Sequence, residues 1–303
     1  MRAARTPYPL LALLLVGFVV SDAAAVITPT SNALELARAI SHDPELVVGA
    51  SFVTVPTSAA HPPNALSTTP LAGFPTDPLP LPADSVPYVI LTNGDPLLAD
   101  QPNSSTQSGV QLGGGLVPGR GDTAFDVTIL KIDLAVPAGA NCLSLDFRFL
   151  SEEFPEFRNQ KFNDAFITEL DNSSWTTSGS TIAAPDNFAF DPSGAVISVN
   201  AAGVTSMTAA NAAGTTYDGV TPLLTASTSV IPGAHSLFLS IFDQGTCEWI
   251  RPSFSTASSS GWSLRGRANL APPSSRWRRR QTAEWPLRAP PTATRSPSAT
   301  RVG

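Results

Sequence analysis

Charge is scarce in this chain of 303 residues: Asp, Glu, Lys and Arg make up 14% of it, whereas hydrophobic residues make up 42%. So little charge, together with abundant Pro, Ser, Thr, Ala and Val, is typical of extracellular β-rich proteins rather than of cytosolic enzymes. Basic residues are rarest between residues 26 and 245, where 6 Lys and Arg stand against 21 Asp and Glu, a net charge of −15. This acidic balance disfavours nucleic-acid binding, which relies on Lys and Arg at the phosphates.

Cysteine and histidine are rare as well, and several motifs that carry chemistry are missing. The two cysteines, Cys142 and Cys247, would be compatible with one disulfide, but we do not expect it because Cys247 lies in an anomalous C-terminal tail. The three histidines are scattered without a His-x-x-x-His pair, which disfavours zinc. The sequence also has no EF-hand spacing, no Rossmann or phosphate-loop motif and no Gly-x-Ser-x-Gly elbow.

Long hydrophobic runs are missing too. An apolar run from Leu10 to Val20 is too short to span a bilayer core of roughly 30 Å. It follows two arginines and precedes three alanines at positions 23–25, which is the pattern of an export signal. We therefore predict a signal peptide over residues 1–25, no other transmembrane segment, and a secreted or cell-surface location.

Residues 26–245 show the patterns of a single β-rich domain. One helix is predicted over residues 31–40, where apolar residues recur on one face. Strands are predicted from period-2 alternation and β-branched residues over 47–55, 88–95, 126–134, 143–149, 166–170, 195–199 and 236–242.

The arrangement of these segments predicts the fold class. Residues 128–134 and 143–149 are predicted to form a hairpin across the turn at 137–141. The Pro-rich residues 56–87 are predicted to be a long loop or an insertion. Short strands separated by polar turns indicate a mostly β protein, an antiparallel, jelly-roll-like β-sandwich with one short N-terminal helix.

Acidic residues are concentrated just after the strand at 143–149. The carboxylates and the amide that meet there, together with one acidic residue much later in the chain, are Glu152, Glu153, Asn163, Asp164 and Asp243. Calcium takes hard oxygen ligands of this kind in sets of about 6 to 8, and closely spaced carboxylates repel one another unless a cation or hydrogen bonds compensate. We predict a calcium site at these five residues; acidic turns that only face water are the alternative.

Two motifs in the same region resemble the choice-of-anchor L domain family. Phe149-Leu-Ser-Glu-Glu-Phe-Pro-Glu-Phe157 is similar to the family's Phe-Ala-Ser-Glu-Glu-Tyr pattern, and Phe162-Asn-Asp-Ala-Phe166 to its Phe-Asn-Asp-x-Phe pattern. Weaker similarities extend the resemblance over roughly residues 27–245. The resemblance implies an exported bacterial surface protein, and it implies location better than activity.

These observations predict a non-enzymatic secreted or cell-surface module that acts in adhesion or ligand binding, with a structural calcium and no other cofactor. Its expected partner is a cell-surface glycan or protein. The alternative is a carbohydrate-active hydrolase that uses Glu152, Glu153 and Asp164, because glycosidases work with paired carboxylates.

Residues 246–303 break the pattern of the domain. They carry 10 Arg and 2 Glu, a net charge of +8, in a run rich in Ser, Arg and Pro. The family resemblance implies an Asp-Ser-Ala-Val strand after Gly245, and residues 248–256 read one base out of frame with GC-rich codons can encode Val-Asp-Ser-Ala-Val-Leu-Leu-Asp. We therefore predict a disordered basic tail that arises from a frameshift near residues 245–247; a genuine basic tail that binds an anionic surface is the alternative.

Overall fold

The computed structural model describes residues 27–56, 62–67, 88–103, 112, 115–160, 162–201 and 207–245, and the backbone of residues 260–263. The paired strands of this part of the chain run antiparallel to one another, and they form several sheets with one α-helix. The prediction of a mostly β fold with one short helix is therefore confirmed.

The elements follow the chain in a simple order. The strands are β1 (Ile27–Pro29), β2 (Val47–Thr54), β3 (Asn64–Ser67), β4 (Tyr88–Leu91), β5 (Ala124–Val136), β6 (Cys142–Ser151), β7 (Asn163–Leu170), β8 (Thr176–Ser178), β9 (Thr181–Ala183), β10 (Ile197–Ser198), β11 (Gly219–Val220), β12 (Leu224–Ser229), β13 (Gly233–Gln244) and β14 (Ser260–Ser263). The helix α1 spans Ala33–Ile40, and short 3-10 turns occupy Pro44–Leu46, Pro96–Leu98 and Ala210–Ala212.

The helix α1 forms where its sequence offers a cap and an apolar face. The side chain of Asn32 accepts a hydrogen bond from the Glu35 amide at 3.2 Å, which satisfies one of the free N–H groups at the helix start. Leu36, Ala37 and Ile40 are buried, so the helix packs this face against β2 and β4.

A five-stranded sheet in the order β10-β7-β13-β5-β2 forms one layer of the fold. Its central strand β13 pairs along most of its length with both β5 and β7. The inner face of this sheet packs on residues of β6, and the rings of Phe147 and Phe166 lie 4.9 Å apart across the interface. On the outer face Trp175 stacks on Phe242 with a centroid distance of 4.0 Å. Both faces of the sheet are therefore covered.

The second layer is built around β6, and here the hairpin prediction is wrong. β6 pairs with β11 and β12, whereas β5 pairs with β13 and β2. The turn at 137–141 therefore connects two sheets instead of two neighbouring strands. Alternation determines which face of a strand is apolar, but it does not determine which strand lies beside it; the apolar faces of β5 and β6 meet across the core.

The prediction for residues 56–87 is wrong in part, because this region contains the strand β3. β3 pairs with β1 on one side and with β4 on the other. Its sequence, Asn-Ala-Leu-Ser, has little β propensity of its own, so its neighbours determine its conformation. The other residues of the predicted loop, 57–61 and 68–87, lie outside the described residues.

A short strand also lies within the predicted disordered tail. The backbone of Ser260–Ser263 (β14) pairs with residues 148–151 of β6, on the edge opposite to β11. For these four residues the expectation of a tail without secondary structure is corrected; the remainder of the tail and the predicted signal peptide are outside the described residues. Among the described helices, none has the length and apolar character needed to cross a membrane.

Candidate functional site

Three strand ends bring carboxylates together at one end of the sandwich. Glu153 lies two residues after the end of β6, Asp164 is the second residue of β7, and Asp243 is the second-last residue of β13. Asp243 and Asp164 are direct partners across the β13–β7 pair. One carboxylate oxygen from each of the three residues lies within 4.8 Å of the others. We call these three side chains the carboxylate cluster.

The carboxylate of Asp164 is held in place by neutral hydrogen-bond donors. The Asn93 side-chain amide donates to its Oδ1 at 2.7 Å, and the Ser151 hydroxyl donates to its Oδ2 at 3.1 Å. The Asp164 backbone N–H in turn donates to Glu153 Oε2 at 3.1 Å. These bonds orient the oxygens before any ligand arrives, as the supporting residues of metal sites do.

Burial and mutual repulsion make the charged form of the cluster costly. Glu153 is 3% exposed and Asp164 is fully buried. Desolvation, followed by the charges of Asp164 and Asp243, raises the pKa of Glu153 well above its usual range. Desolvation, followed by the charges of Asp164 and Asp126, also raises the pKa of Asp243. Within the described residues, no cationic side chain contributes to either shift.

Asp243 contributes a buried oxygen that lacks a protein partner. The residue as a whole is partly exposed, but its Oδ1 is inaccessible to solvent and accepts no hydrogen bond from any described residue. A buried carboxylate oxygen without a donor is costly, so in folded proteins such an atom is usually satisfied by water or by an ion. The cluster therefore has an oxygen available for a ligand.

The other two predicted site residues lie outside the cluster. Asn163 engages both ends of its amide elsewhere: its Nδ2 donates to Gln244 Oε1 at 2.9 Å, and its Oδ1 accepts from the Asn200 N–H at 2.8 Å. Because side chains alternate along β7, Asn163 and Asp164 point to opposite faces of the sheet. Glu152 is buried beside the cluster, and its charge acts on Tyr217.

Sequence reasoning missed several residues that support the cluster. Asn93 and Ser151 position Asp164, and Asp126 adds negative charge next to Asp243. The Asn-Gly-Asp segment after β4 was a detectable signal for Asn93, because polar residues that follow a buried strand often lie at a sheet end. No local pattern identifies Asp126, which reaches the cluster only through the β5–β13 pairing.

The chemistry of the cluster favours hard cations. All three ligand groups are carboxylates, which suit calcium, magnesium or manganese rather than zinc. The arrangement does not support the alternative of a hydrolase, because Glu152, Glu153 and Asp164 are at most 3% exposed and a polysaccharide would have no access to them in this conformation.

Comparison with known protein families gives a match. The family model of the Choice-of-anchor L domain matches residues 88–250, which is more than half of the chain and includes the whole carboxylate cluster. No curated protein and no solved structure matches the chain. The family comprises non-catalytic domains of exported or cell-surface proteins. This chain therefore belongs to the Choice-of-anchor L domain family.

Proposed function

We propose that this protein is a surface module whose sandwich is stabilised by a calcium ion bound by Glu153, Asp164 and Asp243. The observation that carries the proposal is the carboxylate cluster itself: three carboxylates with oxygens within 4.8 Å of one another, two of which, Glu153 and Asp164, are buried. A divalent cation would replace the mutual repulsion by attraction and would give Asp243 Oδ1 a partner.

Calcium suits the donor set better than magnesium does. The three ligand residues come from different strand ends, and calcium accepts irregular oxygen arrangements with 6 to 8 ligands, whereas magnesium demands near-ideal octahedral geometry. Carboxylates that bind through both oxygens, together with water, would complete a calcium shell. The ion would join the ends of β6, β7 and β13, so it would connect the two layers of the sandwich.

The cation would also fix the loop between β6 and β7, which we propose as the ligand-binding surface. In this loop Pro155, Glu156 and residues 158–160 are exposed. Phe157 and Phe162 pack edge to face at 5.5 Å and close the base of the loop. Glu153 lies near the start of the loop and Asp164 is the second residue of the strand that follows it, so a metal at the cluster would order the loop for contact with a cell-surface glycan or protein.

Thermal unfolding in calcium and in chelator tests the proposal. At calcium concentrations about 100 times the Kd, binding to the folded state alone stabilises it by about 2.7 kcal/mol. This corresponds to a rise in Tm of roughly 5–11 °C for a domain of about 200 residues. Excess chelator should reverse the rise.

Two variants control the experiment. Glu153→Gln should lose the calcium-dependent rise, whereas Asp146→Asn, which removes a carboxylate from β6 outside the cluster, should keep it. A wild-type Tm that is the same in calcium and in chelator would overturn the proposal. Binding of immobilised glycans and surface proteins that is equal in calcium and chelator would refute the role of the β6–β7 loop.

A further inference from the structure

Tyr217 is a buried residue beside the carboxylate cluster that the proposed function does not use. It is 1% exposed, and its ring packs in an apolar group with Leu150 and Val220. Its hydroxyl makes no hydrogen bond within the part of the chain that the structure describes. A buried hydroxyl without a partner loses its hydration without compensation, at a cost of about 1–3 kcal/mol, so this atom requires an explanation.

The pairing of strands places Tyr217 next to the acidic turn. Gly219 lies opposite Ser151 and Val220 opposite Leu150 in the antiparallel β11–β6 pair. The residues before Gly219 therefore run alongside the residues after Ser151, which are Glu152 and Glu153. The backbone of Tyr217 is held there, since its N–H donates to the Thr215 hydroxyl at 3.3 Å.

The electrostatic surroundings of the phenol agree with this position beside the acidic turn. Burial, followed by the charges of Glu152, Asp95 and Asp164, raises the pKa of Tyr217. Asp164 is a member of the carboxylate cluster, so the phenol lies within electrostatic reach of the cluster. None of these carboxylates accepts a hydrogen bond from it. When polar groups face each other without direct contact, a bridging water is the usual link.

We propose, on the basis of the calcium site inferred above, that the Tyr217 hydroxyl is part of that site and donates a hydrogen bond to a water molecule bound to the cation. Calcium commonly keeps water among its ligands, and a bound water is held more firmly when a neighbouring group fixes its orientation. Tyr217 is thus a positioning residue: it touches the ion through water and stabilises the loaded state alone.

If Tyr217 has this role, Tyr217→Phe should have opposite effects on the stability of the calcium-free and the calcium-bound protein. Without calcium, the substitution removes an unpaired buried hydroxyl, so Tm in chelator should stay the same or rise by a few degrees, roughly 1–4 °C. With calcium, the variant lacks the bond to the bound water, and the Kd for calcium measured by calorimetry should increase about three- to tenfold. A purely structural tyrosine would change Tm in the same direction in both conditions.

A matched control distinguishes an effect on the calcium site from the general effect of removing a buried hydroxyl. Ser240 lies on β13 and also has a buried hydroxyl without a partner, but alternation places it on the face opposite to Asp243. Ser240→Ala should change Tm by similar amounts in both conditions and leave the Kd unaltered. An unchanged Kd in Tyr217→Phe overturns the inference while the proposed calcium site stands; absence of calcium binding to the wild type overturns both.

A second measurement requires no substitution at Tyr217. A phenol that gains a hydrogen-bond acceptor shows a red shift of its absorption band, so calcium addition should shift the tyrosine band to the red. Because the chain has only 3 tyrosines, the same shift in the Tyr88→Phe variant shows that Tyr88 is not its source. A tyrosine band that does not move when calcium binds would contradict the inference.

Discussion

Replacing Asp243 by asparagine should stabilise the protein in chelator and destabilise it, relative to the wild type, in calcium. Asp243 lies within 4.8 Å of two other carboxylates, measured between the oxygens that could bind a metal. At an effective dielectric constant of about 20, each ionised pair at that separation costs about 3 kcal/mol. Protonation limits this cost, because holding a carboxyl neutral at pH 7 costs about 1.4 kcal/mol for each pH unit above its ordinary pKa.

These bounds give an expected gain of about 2 kcal/mol for Asp243→Asn in chelator, or a Tm higher by about 4–8 °C. In calcium the order should reverse, since the variant lacks one of three charged ligands. Urea unfolding monitored by circular dichroism in both conditions measures both effects. Asp146→Asn serves as the matched control and should change neither. An Asp243→Asn variant that is less stable than the wild type in chelator, and whose Tm still rises with calcium, would refute the reasoning.

Two further predictions concern the same cluster and the tail. Because the pKa values of Glu153 and Asp243 are raised in the folded protein, their contribution to stability is fully present below the ordinary carboxyl pKa near 4 and is lost as pH rises through the folded values. In chelator, the Tm of the wild type minus the Tm of Asp243→Asn should therefore fall between pH 4 and pH 8. A difference that grows in favour of the wild type as pH rises would contradict the assignment. For residues 246–303 we propose out-of-frame translation, so resequencing the locus should reveal a missing or an extra base near the codons for residues 245–247; an intact reading frame together with a C-terminal peptide detected by mass spectrometry would exclude it.

Much of the fold could be predicted from the sequence, because single strands and helices have local signatures. The alternation along β5, β6 and β13 identified these strands, and the apolar face of residues 31–40 identified α1. Pairing could not be predicted in the same way: the amphipathic patterns of β5 and β6 are equally compatible with a hairpin and with two facing sheets. β3 could not be recognised from its own residues either, because its strand conformation depends on its pairing with β1 and β4.

The candidate site shows the same division between local and long-range information. The sequence marked Glu153, Asp164 and Asp243 as candidate ligands, and the β13–β7 register brings Asp243 opposite Asp164. Asn163 lies apart from these carboxylates, because neighbouring residues of a strand point to opposite faces and its amide bonds to Gln244 and Asn200. Tyr217 and Asp126 carry no motif, and their proximity to the cluster follows from the β11–β6 and β5–β13 pairings.

The sequence alone determined the fold class, the family motifs and the residue types that could bind a hard cation, because these depend on composition and on patterns a few residues long. The tertiary structure decided which of the acidic residues meet and which of them are buried. Glu153 and Asp164 are about 10 residues apart in the chain, and Asp164 and Asp243 about 80. Sheet register and packing between the layers bring their carboxylate oxygens within 4.8 Å of one another. That convergence raises the pKa values of Glu153 and Asp243 through burial and mutual repulsion, and it is the basis of the calcium site that we propose.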